Sequence, residues 1–542
     1  MTVSGENLVS GGFRRCVLLL LAALSAPAQA AAPAAVDADL LLRGGTIYDG
    51  SGQEGAVGDV AVRGEKIVAV GHFRHGKIAR AIDCAGLVVA PGFIDLHTHS
   101  DGALNQPAAR QSANYLLQGC TSVVTGNCGG GPTDVEKFYA AVDREGFGTN
   151  VLHLVPHGSV RRAVMKNANR PPTPDELKRM EHLVEQGMRQ GAWGLSTGLI
   201  YVPSLYAQTD ELVALAKVVS AHGGLYVSHI RSEGDKLLDA VREAIEIGRQ
   251  ARLPVHISHF KSSGKANWGR IREAAQLIEA ARNQGIVVTA DQYPYTASST
   301  GLSSTVLSAT AIPGGLDNLY QRMEADPSLD RLVRAMIRNR LRNSAKIVMA
   351  TCPKQPQYVG KSIRQIADEA KADEVDVALD ILRRGGGYVI NHAMSEEDVR
   401  YGMTLPWVAT GSDGSARAIN PQEKPHPRNF GAFARKVGRY AIQEKVLGLA
   451  QAIRSSTGLA ADTFGLTDRG YLRPGAVADV VVFDPKQFRD RATYEEPQQY
   501  AAGVRYVLIA GRFAVEEGRL VKTMHGRALR RAPTLAPPKA TP

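Results

Sequence analysis

The strongest constraint on this chain is a repeated local pattern: a short apolar run that stops on a side chain able to ligate a metal. The clearest case is Phe-Ile-Asp-Leu-His-Thr-His-Ser at 93–100, entered through Pro91 and Gly92. In a strand, residues two apart project from the same face, so His97 and His99 converge at its end. Two such imidazoles make half of a metal site. Residues 224–231 end the same way at His229, 254–261 at His259, and 406–414 at Asp413. A further run, Thr-Ser-Val-Val-Thr-Gly-Asn-Cys-Gly at 121–129, stops at Cys128 among glycines, where a backbone must bend tightly. Helical patterns at 210–221, 236–249 and 271–283 lie between these runs. Strands alternating with helices imply parallel strands and right-handed crossovers. Closed into a barrel, such strands open all their ends on one face, where active sites are built. The expected fold is therefore α/β, a (β/α)8 TIM barrel over about 91–470, with six candidate ligands gathered at one mouth.

The flanks read differently. Residues 39–90 alternate apolar and polar positions with turn glycines, and the pattern resumes at 475–484 and 504–511. One small β-sandwich made jointly by both ends (31–90 and 471–525) fits them. Residues 300–366 break the strand–helix rhythm, with a helical, basic stretch at 330–343, and read as an insertion. Residues 526–542 are basic and Pro-rich, and a disordered tail is expected there.

At the N-terminus, Arg14 and Arg15 precede the apolar run 16–24, and Ala28-Gln-Ala offers a small-x-small cleavage site. This is the pattern of a signal peptide over 1–30, cleaved near Ala30, which implies a periplasmic or secreted product. The run is too short to span a bilayer, and no later stretch is apolar enough, so no membrane insertion is expected after cleavage. The net charge of +11 is dispersed, and no aromatic–basic interleaving suggests a nucleic-acid partner. Cys84, Cys120, Cys128 and Cys352 are too sparse for a disulfide framework, although one pair is compatible with an oxidising compartment.

Taken together, the motifs Pro91-Gly-Phe-Ile-Asp-Leu-His-Thr-His, Gly126-Asn-Cys-Gly, Gly194-Leu-Ser-Thr-Gly-Leu-Ile-Tyr-Val-Pro, Ser228-His-Ile-Arg, Ser258-His-Phe-Lys, Asp291-Gln-Tyr-Pro-Tyr, Ser412-Asp-Gly and His426-Pro-Arg-Asn-Phe-Gly carry a resemblance. From about Asp39 to about Val521 the chain resembles the amidohydrolase superfamily, and within it the N-acyl-D-amino-acid deacylases (D-aminoacylases). Pro91–His99 marks only the superfamily; the Cys128 and Arg428 motifs mark the deacylase branch.

The resemblance implies hydrolysis of the amide of a small N-acyl-D-amino acid, or of a dipeptide with a D-residue, with the insertion at about 300–366 serving as a small lid domain over the barrel mouth. Many superfamily members bridge two metals with a carboxylated lysine on the fourth strand. Here that strand reads Ala192-Trp-Gly-Leu-Ser-Thr-Gly, with no lysine, and Cys128 takes the place. Cys128, His229 and His259 would hold one tight Zn²⁺, a donor set that suits zinc and leaves a position open. His97, His99 and Asp413 would flank a second, weaker position. Asp413 would be the catalytic acid/base. Arg428 is the family-like candidate for the substrate carboxylate, with Lys261, Tyr201 and Tyr295 as further substrate-binding candidates. His157, His256 and His392 read as supporting or structural. The rival readings are another amidase or dipeptidase of the superfamily, against which the missing lysine, Cys128 and Arg428 speak, and a non-enzymatic periplasmic ligand-binding barrel, which should have lost ligands.

Overall fold

The computed structural model describes residues 35–307 and 315–532. The expected signal peptide lies outside the described residues. Eight parallel strands run in sequence order: β1 (Phe93–Asp95), β2 (Cys120–Thr125), β3 (Asn150–His153, continued by Val155–Pro156), β4 (Gly194–Gly198), β5 (Leu225–His229), β6 (Val255–Ile257), β7 (Val288–Gln292) and β8 (Val408–Thr410). A parallel bridge from Thr98 to Gly414 joins the last strand's end to the first, which completes a (β/α)8 barrel. That seam matters for the site. The amide of His99 donates to Gly414 O at 2.7 Å and that of Asp413 donates to His97 O at 2.8 Å. These two bonds set the His97-x-His99 pair opposite Asp413.

Both ends of the chain share one nine-stranded sheet. Its long first strand, Val36–Ile47, bulges between Leu42 and Gly45. It pairs with His75–Asp83 along its first part and with Val88–Pro91 along its last. Val88–Pro91 in turn pairs antiparallel with Val480–Phe483, so the C-terminal strands complete what the N-terminal ones begin. Leu42, Val60, Val89, Val480 and Leu508 bury a common core.

The inserted unit is wider than the 300–366 expected. It runs from strand Ser298–Gly301 to strand Tyr388–His392, with Lys346–Met349 paired to the latter. Helices Ile363–Ala370 and Glu374–Arg383 scan like one more barrel repeat, but Ile366, Ala378 and Leu382 bury against Val333, Ile337 and Met349 of the insertion. The tail also differs from expectation at its start. Ala528 bridges Val151, Leu529 is 8% exposed, and the Trp193 indole donates to Leu529 O at 2.7 Å. Arg527 and Arg530 pair with Glu65 and Asp143, so residues 526–532 are docked by two apolar side chains and held by two ion pairs. All four cysteines of the described residues are free. No helix among the described residues is long and apolar enough to cross a membrane.

Candidate metal centre and active site

The side chains at the barrel mouth converge. Cys128 Sγ lies 3.7 Å from His229 Nδ1, 3.8 Å from His259 Nε2 and 3.4 Å from His97 Nε2. On the other flank, Asp413 Oδ1 is 3.1 Å from His99 Nε2 and 3.6 Å from His97 Nε2. All six predicted ligands are thus brought to one place. A tetrahedral zinc, with Zn–S near 2.3 Å and Zn–N near 2.0–2.1 Å, separates its sulfur and nitrogen ligands by about 3.5–3.6 Å. The Cys128–His229 and Cys128–His259 distances come close to that separation, and the potential ligands also group as His97, Cys128 and His259 and as His97, His99 and Asp413. The thiol faces both sets, so it is placed to serve either position.

At Cys128, His229 and Asp413 electrostatics favour the ligand form, whereas at His97, His99 and His259 the neighbouring anions outweigh burial and raise the imidazoles toward protonation. Burial alone would raise the Cys128 thiol, but His97, His229 and His259 hold it well below its ordinary range. Burial and the neighbouring His259 push His229 down, toward its neutral, ligating form. Asp413 is also buried, yet Arg428, His97 and His99 keep its carboxyl well below the usual range, ionised and ready to accept a proton.

Supporting carboxylates hold the imidazoles. Asp291, fully buried on β7, accepts from His256 Nε2 at 2.9 Å and His97 Nδ1 at 3.2 Å through Oδ2, and from the His259 amide at 2.8 Å through Oδ1. His256 therefore points away from the metal cluster and fixes Asp291. Glu233, in the loop after β5, lies 2.6 Å from His259 Nδ1 and 2.5 Å from Lys261 Nζ. His157 sits in a separate buried network, 2.8 Å from Ser204 Oγ and 3.0 Å from Glu211. His392 belongs to the insertion and packs its ring 4.6 Å from that of Tyr494.

The substrate-binding candidates divide. Arg428 Nη1 pairs with Asp413 Oδ2 at 2.8 Å, and its guanidinium lies 4.8 Å over the Tyr293 ring. Lys261 Nζ is 5.5 Å from the same ring. Tyr201 stands edge-on to His229, ring centroids 5.1 Å apart, with its hydroxyl on Thr300 of the insertion. Tyr295 does not join them: its ring packs edge-on to His426 at 5.2 Å, beneath the Arg435 guanidinium. Tyr293 takes the place beside Arg428, and its buried hydroxyl has no hydrogen-bond partner, the state of a group awaiting one. β7 ends at Gln292, so strand parity no longer governs the two tyrosines, and Pro294 between them turns the chain. Asp291, Glu233 and Tyr293 are the working residues that the sequence reading did not single out. A carboxylate inside an otherwise apolar strand was the available signal for Asp291; Glu233 had none.

A parallel barrel with a thiolate, imidazoles and a carboxylate at its strand ends, flanked by a composite β-domain, defines a metal-dependent barrel hydrolase in architecture. The chain belongs to the amidohydrolase family, whose model matches residues 80–302 and 403–515, and within it to the N-acyl-D-amino-acid deacylase branch. It is 35% identical over 516 residues to a D-aminoacylase of Alcaligenes xylosoxydans xylosoxydans, covering 91% of this chain and 98% of that one. An N-acyl-D-glutamate deacylase from Bordetella bronchiseptica, solved with zinc and a phosphonate mimic of the tetrahedral intermediate, matches with a TM-score of 0.78 at 33% identity over 91% of this chain and 100% of its own. A D-aminoacylase structure described by a binuclear metal centre, with one-metal activation and second-metal attenuation, matches equally well: TM-score 0.78, 33% identity and the same coverage.

Proposed function

We propose that this protein hydrolyses N-acyl-D-amino acids to a carboxylic acid and a free D-amino acid, with zinc held by Cys128, His229 and His259. The observation that carries the reading is Cys128 Sγ standing 3.7 Å from His229 Nδ1 and 3.8 Å from His259 Nε2, close to zinc-ligand spacing, beside the ionised carboxylate of Asp413. The relatives' activities on N-acyl-D-amino acids and the zinc in one of their structures support it. Zinc bound there supplies Lewis acidity, polarising the scissile carbonyl and lowering the pKa of water toward about 7. Asp413 takes the water's proton and returns one to the departing nitrogen. Arg428, Lys261 and the unpartnered Tyr293 hydroxyl form the cradle for the α-carboxylate, and Tyr201 closes the side toward the insertion. His97, His99 and Asp413 flank a second, weaker metal position, in keeping with the one-metal activation described for a relative.

The direct test is a panel of N-acetyl-D- and N-acetyl-L-amino acids and dipeptides with zinc-loaded enzyme. Turnover confined to the D-series is expected; turnover of the L-series alone would overturn the proposal. We also propose export with cleavage after Ala30, on the Arg14-Arg15, apolar-run and Ala-Gln-Ala pattern. N-terminal sequencing of exported material should begin at Ala31, and a cytoplasmic protein beginning at Met1 would refute it.

A further inference from the structure

Glu233 stands where two donors meet. Its Oε1 is 2.6 Å from His259 Nδ1 and 2.5 Å from Lys261 Nζ, and Lys261 Nζ is itself 2.8 Å from His259 Nδ1. The three groups are largely shielded, with side-chain exposures of 15%, 2% and 7%. Two proton arrangements compete at this imidazole. In the first, Nδ1–H donates to Glu233 and leaves the Nε2 lone pair facing Cys128. In the second, Lys261 donates to the Nδ1 lone pair, and the ring proton moves to Nε2, the nitrogen 3.8 Å from the Cys128 sulfur. Only the first offers Nε2 to a metal, because a ligating nitrogen must be unprotonated.

We propose that Glu233 is a positioning residue that selects the metal-binding tautomer of His259 by engaging both Nδ1–H and Lys261, and so keeps the lysine from capturing the imidazole. The carboxylate does two jobs with one oxygen. It orients His259, as partners of a ligating imidazole do. It also parks the Lys261 ammonium beside the Tyr293 ring, within reach of an incoming carboxylate. The lysine that helps bind substrate is therefore also the group best placed to spoil the metal site, and Glu233 resolves that conflict. Nothing else is as close to Nδ1: on its other side the imidazole meets Cys128 at Nε2 and the rings of His97 and His229.

This inference rests on the zinc reading above, and its test measures zinc binding without substrate, by chelator competition. Glu233→Ala should bind zinc roughly 10–100-fold more weakly than the parent, the scale for losing such a partner. Lys261→Ala should stay within about threefold of it. Glu233→Ala/Lys261→Ala should recover most of the loss, because the competing donor has gone. If Glu233→Ala fails to fold, Glu233→Met takes its place: it fills similar volume with no carboxylate to accept from Nδ1–H and should weaken binding similarly, with Lys261→Ala again recovering most of the loss. A Glu233 variant that holds zinc as tightly as the parent, or a double Ala variant as weak as Glu233→Ala, would overturn the tautomer role. A parent protein that binds no zinc would instead sink the functional reading, so the two failures are separable.

Discussion

Replacing Arg428 separates substrate recognition from acid/base chemistry. The guanidinium is 6% exposed, pairs with Asp413 at 2.8 Å, donates to Ser299 O at 3.3 Å and covers the Tyr293 ring. A substrate α-carboxylate entering here must exchange its water for this fork. Each hydrogen bond to a charged partner contributes about 1.5–3 kcal/mol, so a bidentate contact is worth roughly 3–5 kcal/mol after overlap. At about 1.4 kcal/mol per tenfold, Arg428→Ala should lower kcat/KM by at least about a hundredfold on an N-acetyl-D-amino acid. Arg428→Lys should not restore it, since the charge survives but the planar fork does not. The pair with Asp413 requires a control, because losing it loosens the acid/base as well. The same substrate with its carboxylate amidated supplies that control: it feels only the part of the loss that passes through Asp413. The ratio of the two losses isolates the carboxylate contact and should exceed about tenfold. Equal losses on both substrates would show that Arg428 acts only by placing Asp413, and the carboxylate assignment would fall.

Three further outcomes are expected. Asp413→Asn should keep its zinc yet lose about 10²–10⁴-fold in kcat, the worth of a positioned acid/base, and substantial remaining turnover would move that role to His97 or His99. Cys128→Ala should lose stoichiometric zinc on dialysis; metal analysis showing full retention would refute the thiolate assignment. Lys436 is 1% exposed, its ammonium has no partner, and burial pushes it down to about 7. Between that value and the unfolded lysine's value near 10.4 the unfolded chain holds more protons, so stability rises with pH across this window and the penalty is complete below it. Lys436→Met should therefore stabilise the protein by up to about 4–5 kcal/mol at pH 6, the gain fading toward pH 10, and a gain that does not vary with pH would refute the argument.

The metal ligands were legible because strand-end position and side-chain type both point to them. A histidine two residues beyond another at the end of an apolar run has few alternative uses, and five such runs reinforce each other. What eluded the sequence lies where no periodicity operates. Glu233 is four residues past His229 in a loop, and nothing local distinguishes it from a solvated glutamate until the fold sets it against His259. Tyr293 and Tyr295 are equivalent by type, and only the end of β7 and the turn at Pro294 send one to Arg428 and the other under His426. The insertion's last two helices carry the same amphipathic pattern as the barrel's own, so pattern alone could not say which core would claim them. Residues 526–532 looked polar on average, but the burial of Ala528 and Leu529, together with the ion pairs of Arg527 and Arg530, docks them.

The backbone at the mouth shows why this arrangement is held so firmly. Cys128, His259 and Asp413 all adopt left-handed backbone conformations, with φ of 54°, 37° and 51°. For a residue with a Cβ this costs about 1–2 kcal/mol each, so the site carries a few kcal/mol of strain across three residues. Each of the three stands just past the end of its strand and carries the side chain that joins the ligand cluster. Glycine would relieve the strain at each position but carries no thiolate, imidazole or carboxylate, so the chemistry and the easy backbone exclude each other. The surroundings hold the turns in place. Gly126 and Gly129 absorb the bends on either side of Cys128, Asp291 grips the His259 amide, and the His97 carbonyl grips the Asp413 amide. Asp291 also fixes His97, and Asp413 also meets His99. The same bonds that restrain the strained turns therefore set the ligand spacing. The site is assembled from five separate strand ends, and two of its strained turns are tied to a further ligand: relaxing the His259 turn would disturb the Asp291 carboxylate that also holds His97, and relaxing the Asp413 turn would break its bond to the His97 carbonyl.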